Sequence, residues 1–144
     1  KVTLHVGLGT FLPVTAEDLN DHDMHSEYVE IEDLVWEKIK KAKADKKSIW
    51  GLGTTVTRTL ESQALGYFSK NSLGVWQGMT NLLIQPGYHF QVIDKLLTNF
   101  HQPESTLLAL VAAFAGIENV KSVYEVAIKK KMRLFSYGDL SVWM

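Results

Sequence analysis

The run from Leu108 to Ala115 is apolar without interruption and closes at Gly116. It is too long for a strand and carries no polar stripe, so it predicts a helix buried on all sides. A chain of 144 residues with 46% hydrophobic content can supply the surroundings such a helix needs. At that length one domain buries roughly 70% of its unfolded surface. The entrance to the run is polar: Asn99, His101, Ser105 and Thr106 crowd it, Pro103 suits the first helical turn, and Gly116 suits the residue past the end. A helix start leaves backbone N–H groups without partners and carries partial positive charge. Two readings follow. The polar groups form a ligand site, or they only cap the helix and tie down the incoming chain.

Upstream, Val2, Leu4 and Val6 alternate with Thr3 and His5, predicting a half-buried strand that runs into Gly7-Leu8-Gly9-Thr10-Phe11. Two glycines around one residue permit a tight turn and close approach of a ligand to the backbone. In Met24-His25-Ser26-Glu27, a strand would point His25 and Glu27 the same way. They read either as an acid/base pair, a titratable imidazole with an orienting carboxylate, or as a surface salt bridge on an edge strand. Glu32 to Lys43 has the spacing of an amphipathic helix. Ser48 to Leu52 then fits a buried parallel strand reached by that crossover. This strand empties into Gly53-Thr54-Thr55 and a second helix from Val56 to about Ala64, the general device for holding an anion on free N–H donors. On that helix Arg58 either pairs with Glu61, three residues on, or clamps a carboxylate or phosphate.

Gly66 to Gly78 reads as loop, Thr80 to Ile84 as a strand, and Pro86-Gly87 as a turn. Tyr88, Phe90, Val92, Leu96, Thr98 and Phe100 alternate as strand residues do. Beyond Gly116 the pattern predicts an amphipathic helix capped by Asn119, then a last strand at Leu134-Phe135. It ends in Ser136-Tyr137-Gly138-Asp139, where Asp139 either closes a turn or contacts a ribose hydroxyl. Strands alternating with helices predict an α/β fold with a mixed, largely parallel sheet flanked by helices. The polar turns at Gly7 to Thr10, Gly53 to Thr55, Asn99 to His101 and Ser136 to Asp139 are expected to gather at the carboxyl ends of the strands. Chemistry alone indicates a small-molecule site with acid/base capacity and anion-holding turns, and no particular reaction.

The chain holds no cysteine, which excludes disulfides, zinc–thiolate sites and a cysteine nucleophile and fits a reducing cytoplasm. No apolar run reaches the length of a membrane span. The formal net charge of −1 offers no global attraction to phosphate, so any RNA contact has to be local. The lysine runs Lys40-Lys41-Ala42-Lys43 and Lys129-Lys130-Lys131 are either such patches or solvated helix ends.

Leu97-Thr98-Asn99-Phe100-His101, Pro103-Glu104-Ser105-Thr106-Leu107-Leu108 and Ala113-Phe114-Ala115-Gly116 resemble the C-terminal part of the S-adenosylmethionine:tRNA ribosyltransferase-isomerases of the queuosine pathway. The blocks Gly7 to Phe11, Met24 to Glu27, Gly53-Thr54-Thr55 with Arg58 to Ser62, Pro86-Gly87-Tyr88 with Asp94, and Ser136 to Asp139 resemble the same family in the same order. Two departures are Leu12, where the family often has Arg or Gln, and Asn81, where it commonly has Asp. The sequence starts inside a strand-like pattern without methionine and lacks the family's Pro-Thr-Ala-Gly-Leu-His motif. Residues 1–144 therefore read as the C-terminal portion of a larger enzyme's catalytic α/β domain.

The resemblance implies transfer and isomerisation of the ribosyl unit of S-adenosylmethionine onto 7-aminomethyl-7-deazaguanine at the tRNA wobble position. The products are epoxyqueuosine, adenine and methionine. S-adenosylmethionine is then a co-substrate and no cofactor or metal is implied. It assigns His25, Glu27 and His101 to catalysis, with Glu27 orienting. Thr54, Thr55 and Arg58 hold the methionine end, while Gly7, Gly9, Thr10, Asn99 and Asp139 contact substrate. Two other classes stand beside it: a metal-dependent hydrolase using His22, His25, Glu27 and His101, and a non-catalytic nucleotide- or tRNA-binding module. Oligomeric state is open.

Overall fold

The computed structural model of the chain describes residues 2–7, 14 and 19–144. Two sheets carry the fold. Val2–His5 (β1), Glu27–Glu32 (β2), Ser69–Lys70 (β4) and Val75–Thr80 (β5) form an antiparallel sheet in the order β1-β2-β5-β4. Trp50–Leu52 (β3), Lys95–Asn99 (β6) and Leu140–Trp143 (β7) form the second, in which β3 and β6 are parallel and β7 is antiparallel to β6. Four helices join them: Asp33–Ala44 (α1), Thr54–Ala64 (α2), Thr106–Ala115 (α3) and Ile117–Lys129 (α4). The expected mixed α/β architecture is present. Its parallel pairing, however, is confined to β3 and β6 among the described residues, and the remaining ladders are antiparallel. The parallel pair β3–β6 is joined by a crossover that includes α2, the short β4–β5 link returns the chain antiparallel, and the helix pair α3–α4 brings β7 back antiparallel to β6.

α3 is the helix expected from the apolar run, and no residue along it is exposed. Leu110 and Val111 pack with Leu82, Ile84, Leu96, Val120 and Trp143 in one cluster. A second cluster joins Val29 and Ile31 of β2 to Leu60 of α2 and to Phe68, Val92 and Ile93. Gly116 ends α3 at φ 83°, a conformation that favours glycine, and also starts α4. Asn119 does not cap α4. It sits in the first turn and donates from Nδ2 to the Ala115 carbonyl at 2.8 Å, closing the end of α3. Pro103 lies in the turn before α3, and Ser105 takes the N-cap.

The largest differences from expectation lie between residues 81 and 94, where no strand forms. The backbone donors that a strand would send to a neighbour go elsewhere. The N–H groups of Gln91, Val92 and Ile93 all donate to the Glu61 carboxylate, at 2.8, 3.0 and 2.9 Å, and the Tyr88 hydroxyl joins them at 3.1 Å. Thr80 Oγ1 accepts the Leu82 N–H as β5 ends. The stretch from Gly66 to Gly78 contains the β4–β5 hairpin rather than loop alone, and the final strand is β7 rather than Leu134-Phe135. No single described helix is long and apolar enough to cross a membrane. α3 and α4 pass that test only when joined, and the chain bends by 113° between them.

Glu61 is fully buried, and its carboxylate accepts the backbone N–H groups of residues 91–93, tying them to α2 beside the Leu60 packing. Glu61→Ala leaves three backbone donors without an acceptor. At about 1–3 kcal/mol for each buried group stranded, the expected loss is on the order of 3 kcal/mol or more. Thermal unfolding of the Glu61→Ala protein checks this; a melting temperature within a degree of the unsubstituted protein would contradict it.

Candidate functional site

The carboxyl ends of β3 and β6 open on a cleft of about 320 Å³, at the lower end of the range for small-molecule sites. Its floor begins at Gly53, which donates its N–H to Leu97 O at 2.8 Å and so fixes the β3–α2 turn to β6. Gly53 adopts φ 95° and ψ 153°, a region that side-chain-bearing residues avoid. No side chain caps α2, and its first residues Thr54, Thr55 and Val56 line the cleft; a helix start of this kind has backbone N–H groups to offer an anion. Thr57 Oγ1 folds back on the Gly53 carbonyl at 2.9 Å. A Cβ on Gly51 would stand 2.3 Å from that Oγ1, which explains why the strand before the turn carries glycine.

The opposite wall comes from the end of β6 and the approach to α3: Thr98, Asn99, His101, Gln102, Ser105 and Leu107. His101 is anchored twice. Its ring Nε2 lies 2.9 Å from Thr98 Oγ1, and its backbone N–H donates to the Tyr124 hydroxyl at 2.8 Å, which in turn donates to the His101 carbonyl at 3.2 Å. Burial pushes the His101 imidazole down to about 4, so it is neutral at physiological pH. Ser105 is fully used as a cap, accepting from the Leu108 N–H at 3.2 Å and donating to the Gln102 carbonyl at 2.8 Å. Phe135 and Ser136 close the rim; the Phe135 N–H donates to the Phe100 carbonyl at 3.0 Å.

A second cluster lies on the other side of the first turn of α2. The Arg58 guanidinium pairs with the Glu27 carboxylate and approaches Met24 Sδ at 3.9 Å, and both ionic side chains are buried. Burial lowers Arg58 to about 10, still charged at neutral pH. His25 Nε2 stands 3.5 Å from the other Glu27 oxygen. Burial first, then the charge of Arg58 and of His22, holds His25 below the ordinary imidazole range. Arg58 therefore takes Glu27 as its partner, not Glu61, whose carboxylate turns to residues 88–93. Glu27 is on an interior strand and 2% exposed, which removes the surface salt-bridge reading of this pair.

Among the expected site residues, Thr54, Thr55, Asn99 and His101 meet in the cleft. His25, Glu27 and Arg58 meet in the neighbouring cluster, and Thr54 borders both. Asp139 closes a turn, accepting from the Arg133 N–H at 2.7 Å, and does not line the cleft. Gly7 is exposed just past β1, while Gly9 and Thr10 lie outside the described residues. Sequence reasoning passed over Tyr124 and Phe135. Their link to the site is made across more than twenty residues of chain, with no local spacing to betray it. Among the described residues no three His, Asp or Glu side chains group so as to hold a metal ion.

The domain is thus an α/β fold with a cleft at its strand ends, an uncapped helix start on one side of it and a buried, neutral imidazole on the other. The chain belongs to the family described as queuosine biosynthesis protein, whose model matches residues 1–142. It is 55% identical over 138 residues to the S-adenosylmethionine:tRNA ribosyltransferase-isomerase of Halothermothrix orenii, covering 96% of this chain and 40% of that protein. The enzyme of the same name from Dichelobacter nodosus is 50% identical, with 38% of it covered. The crystal structure of S-adenosylmethionine tRNA ribosyltransferase from Thermotoga maritima superposes with a TM-score of 0.74 at 37% identity, over 82% of this chain and 40% of that one. The chain thus spans about two fifths of the length of the relatives it matches.

Two titrations follow. His101 has a folded value of about 4 against 6.5 in the unfolded chain, so between those values the unfolded state binds more protons. Its contribution is fully present above pH 6.5 and is lost as pH falls toward 4. The His101→Gln parent protein is expected to lose less stability over that window than the unsubstituted protein, as read by urea unfolding at several pH values; equal losses would contradict the assignment. For His25, Arg58→Gln removes a cation that lowers its pKa, so the His25 ring resonance is expected to titrate at higher pH. An unchanged or lower midpoint by NMR would contradict the coupling.

Proposed function

We propose that this chain forms the part of an S-adenosylmethionine:tRNA ribosyltransferase-isomerase that holds the S-adenosylmethionine co-substrate. The reaction is transfer and isomerisation of its ribosyl unit onto 7-aminomethyl-7-deazaguanine at the tRNA wobble position, yielding epoxyqueuosine, adenine and methionine. The observation that carries the reading is the meeting of the uncapped α2 start with neutral His101 in one cleft.

The chemistry asks for three things. The methionine carboxylate needs an anion holder, and the N–H groups of Thr54, Thr55 and Val56 supply one with the favourable end of the helix dipole. A proton beside the sulfonium has to leave. His101, kept neutral by burial, enters as a proton acceptor once the Thr98 hydroxyl fixes which ring nitrogen is free. The adenosine needs an apolar wall with polar contacts, and Phe135, Leu52 and Leu107 stand beside Asn99 and Ser136.

In this reading Arg58 does not reach the carboxylate directly. Its pairing with Glu27 fixes the first turn of α2, and His25 adds an acid–base group next to that pair. The enzyme works without a resident cofactor, in the cytoplasm, with modified tRNA as its second substrate.

Adenine release from S-adenosylmethionine by the complete parent protein, with tRNA carrying the aminomethyl-deazaguanine base, tests the proposal. Adenine and methionine are expected only with that tRNA, and His101→Ala is expected to lower kcat by about 100-fold or more, the usual scale for a positioned acid–base group. Appearance of S-adenosylhomocysteine instead, or an unaffected His101→Ala enzyme, would overturn it.

A further inference from the structure

Among the described residues, the sheet β3-β6-β7 is covered on one face only. Leu96, Thr98, Ser141 and Trp143 point into the core and are buried, and Gly51 beside them lies against Thr57. The alternate positions form the other face. There Leu52, Leu97 and Val142 stand in register as an aliphatic row across all three strands. Trp50 and Leu140 flank it, paired with Lys95 and Asn99 respectively. Exposure on this face is high: Trp50 44%, Leu52 61%, Leu140 55% and Val142 50%. Sheets built on parallel pairs are ordinarily covered on both faces, and a contiguous apolar face this open marks a contact surface.

We propose that this face is covered, in the parent protein, by polypeptide from the portion outside the present sequence, and that this covering completes one wall of the cleft. Three observations select that occupant. The relatives carry about three fifths of their length beyond the region matched here, since the matched region is 40% of each. The row is aliphatic and bears Lys95 as its cation, whose ammonium sits 5.3 Å from the Trp50 ring centre. Such a surface suits a protein layer better than RNA, which selects cationic grooves with stacked aromatics. Finally, Leu52 and Asn99 belong both to this face and to the cleft lining, so whatever packs on the row borders the cleft. A tethered segment also outcompetes a free partner through its effective concentration. The proposal rests on family membership and not on the reaction proposed above, and its test does not involve turnover.

Hydroxyl-radical footprinting of the complete parent protein, free of nucleic acid and at a concentration where light scattering shows a monomer, reads the coverage directly. Trp50, Leu140 and Val142 are expected to oxidise at least about tenfold more slowly than in the urea-unfolded protein, while Leu73, 85% exposed on the β4–β5 turn, stays reactive. Protection of only about twofold, as half-exposed side chains give, would overturn the proposal. Protection that appears only on adding tRNA assigns the face to RNA, and protection present only at concentrations where the protein dimerises assigns it to a second copy. Either result overturns it too.

Discussion

A helix as polar as α2 can lie in a protein interior only if its side chains find partners there, because an unmatched buried polar group costs more than a made hydrogen bond returns. Thr57, Arg58, Thr59, Glu61, Ser62 and Gln63 are all buried, with Leu60 the apolar residue among them. Thr57, Thr59 and Ser62 bond back to the carbonyls four residues earlier, and Ser62 also meets Thr80 Oγ1 of β5 at 2.6 Å. Arg58 takes Glu27 of β2, and Glu61 gathers the backbone of residues 91–93. Arg58 Nε and Gln63 Oε1 alone are left without partners among the described buried side-chain atoms. Such directional bonds hold α2 at one rotation and one height between the two sheets. Its first turn is therefore a fixed point, and the site is built on it.

The two histidines show how position divides roles. Both are held toward the neutral form chiefly by burial. His101 does so as part of the cleft wall, with its backbone clamped by Tyr124 and its ring by Thr98. His25 does so beside a buried ion pair, and after burial its proton affinity responds to the charges of Arg58 and His22. A buried pair of this kind is poor evidence for stability by itself, since desolvation offsets much of its attraction. Its value here is geometric: it ties β2 to the helix whose start faces the cleft.

Several of these features were legible in the sequence. The apolar run at Leu108 to Ala115 specified α3, and the strand–glycine–helix pattern at Trp50 to Thr55 located the β3–α2 turn, because both depend on neighbours in the chain. The alternation through Tyr88, Phe90 and Val92 misled, because Glu61, about thirty residues away, captures the backbone donors that a strand would share. Arg58 and Glu61 have the spacing of a helical ion pair, yet each has a stronger buried partner on another element. Trp50 and Leu52 read as strand core and prove exposed on one face, since local pattern carries no information on which layers lie next to a sheet.

The central claim is that the α2 start and His101 face one S-adenosylmethionine molecule. A crystal structure of the complete parent protein with S-adenosylhomocysteine, which keeps the carboxylate and adenosine but lacks the reactive sulfonium, tests it most directly. The account predicts the carboxylate within hydrogen-bond distance of the Thr54 to Val56 N–H groups and the ribose beside His101. Ligand bound elsewhere with this cleft empty, or seated with its adenine at the α2 start, would contradict it.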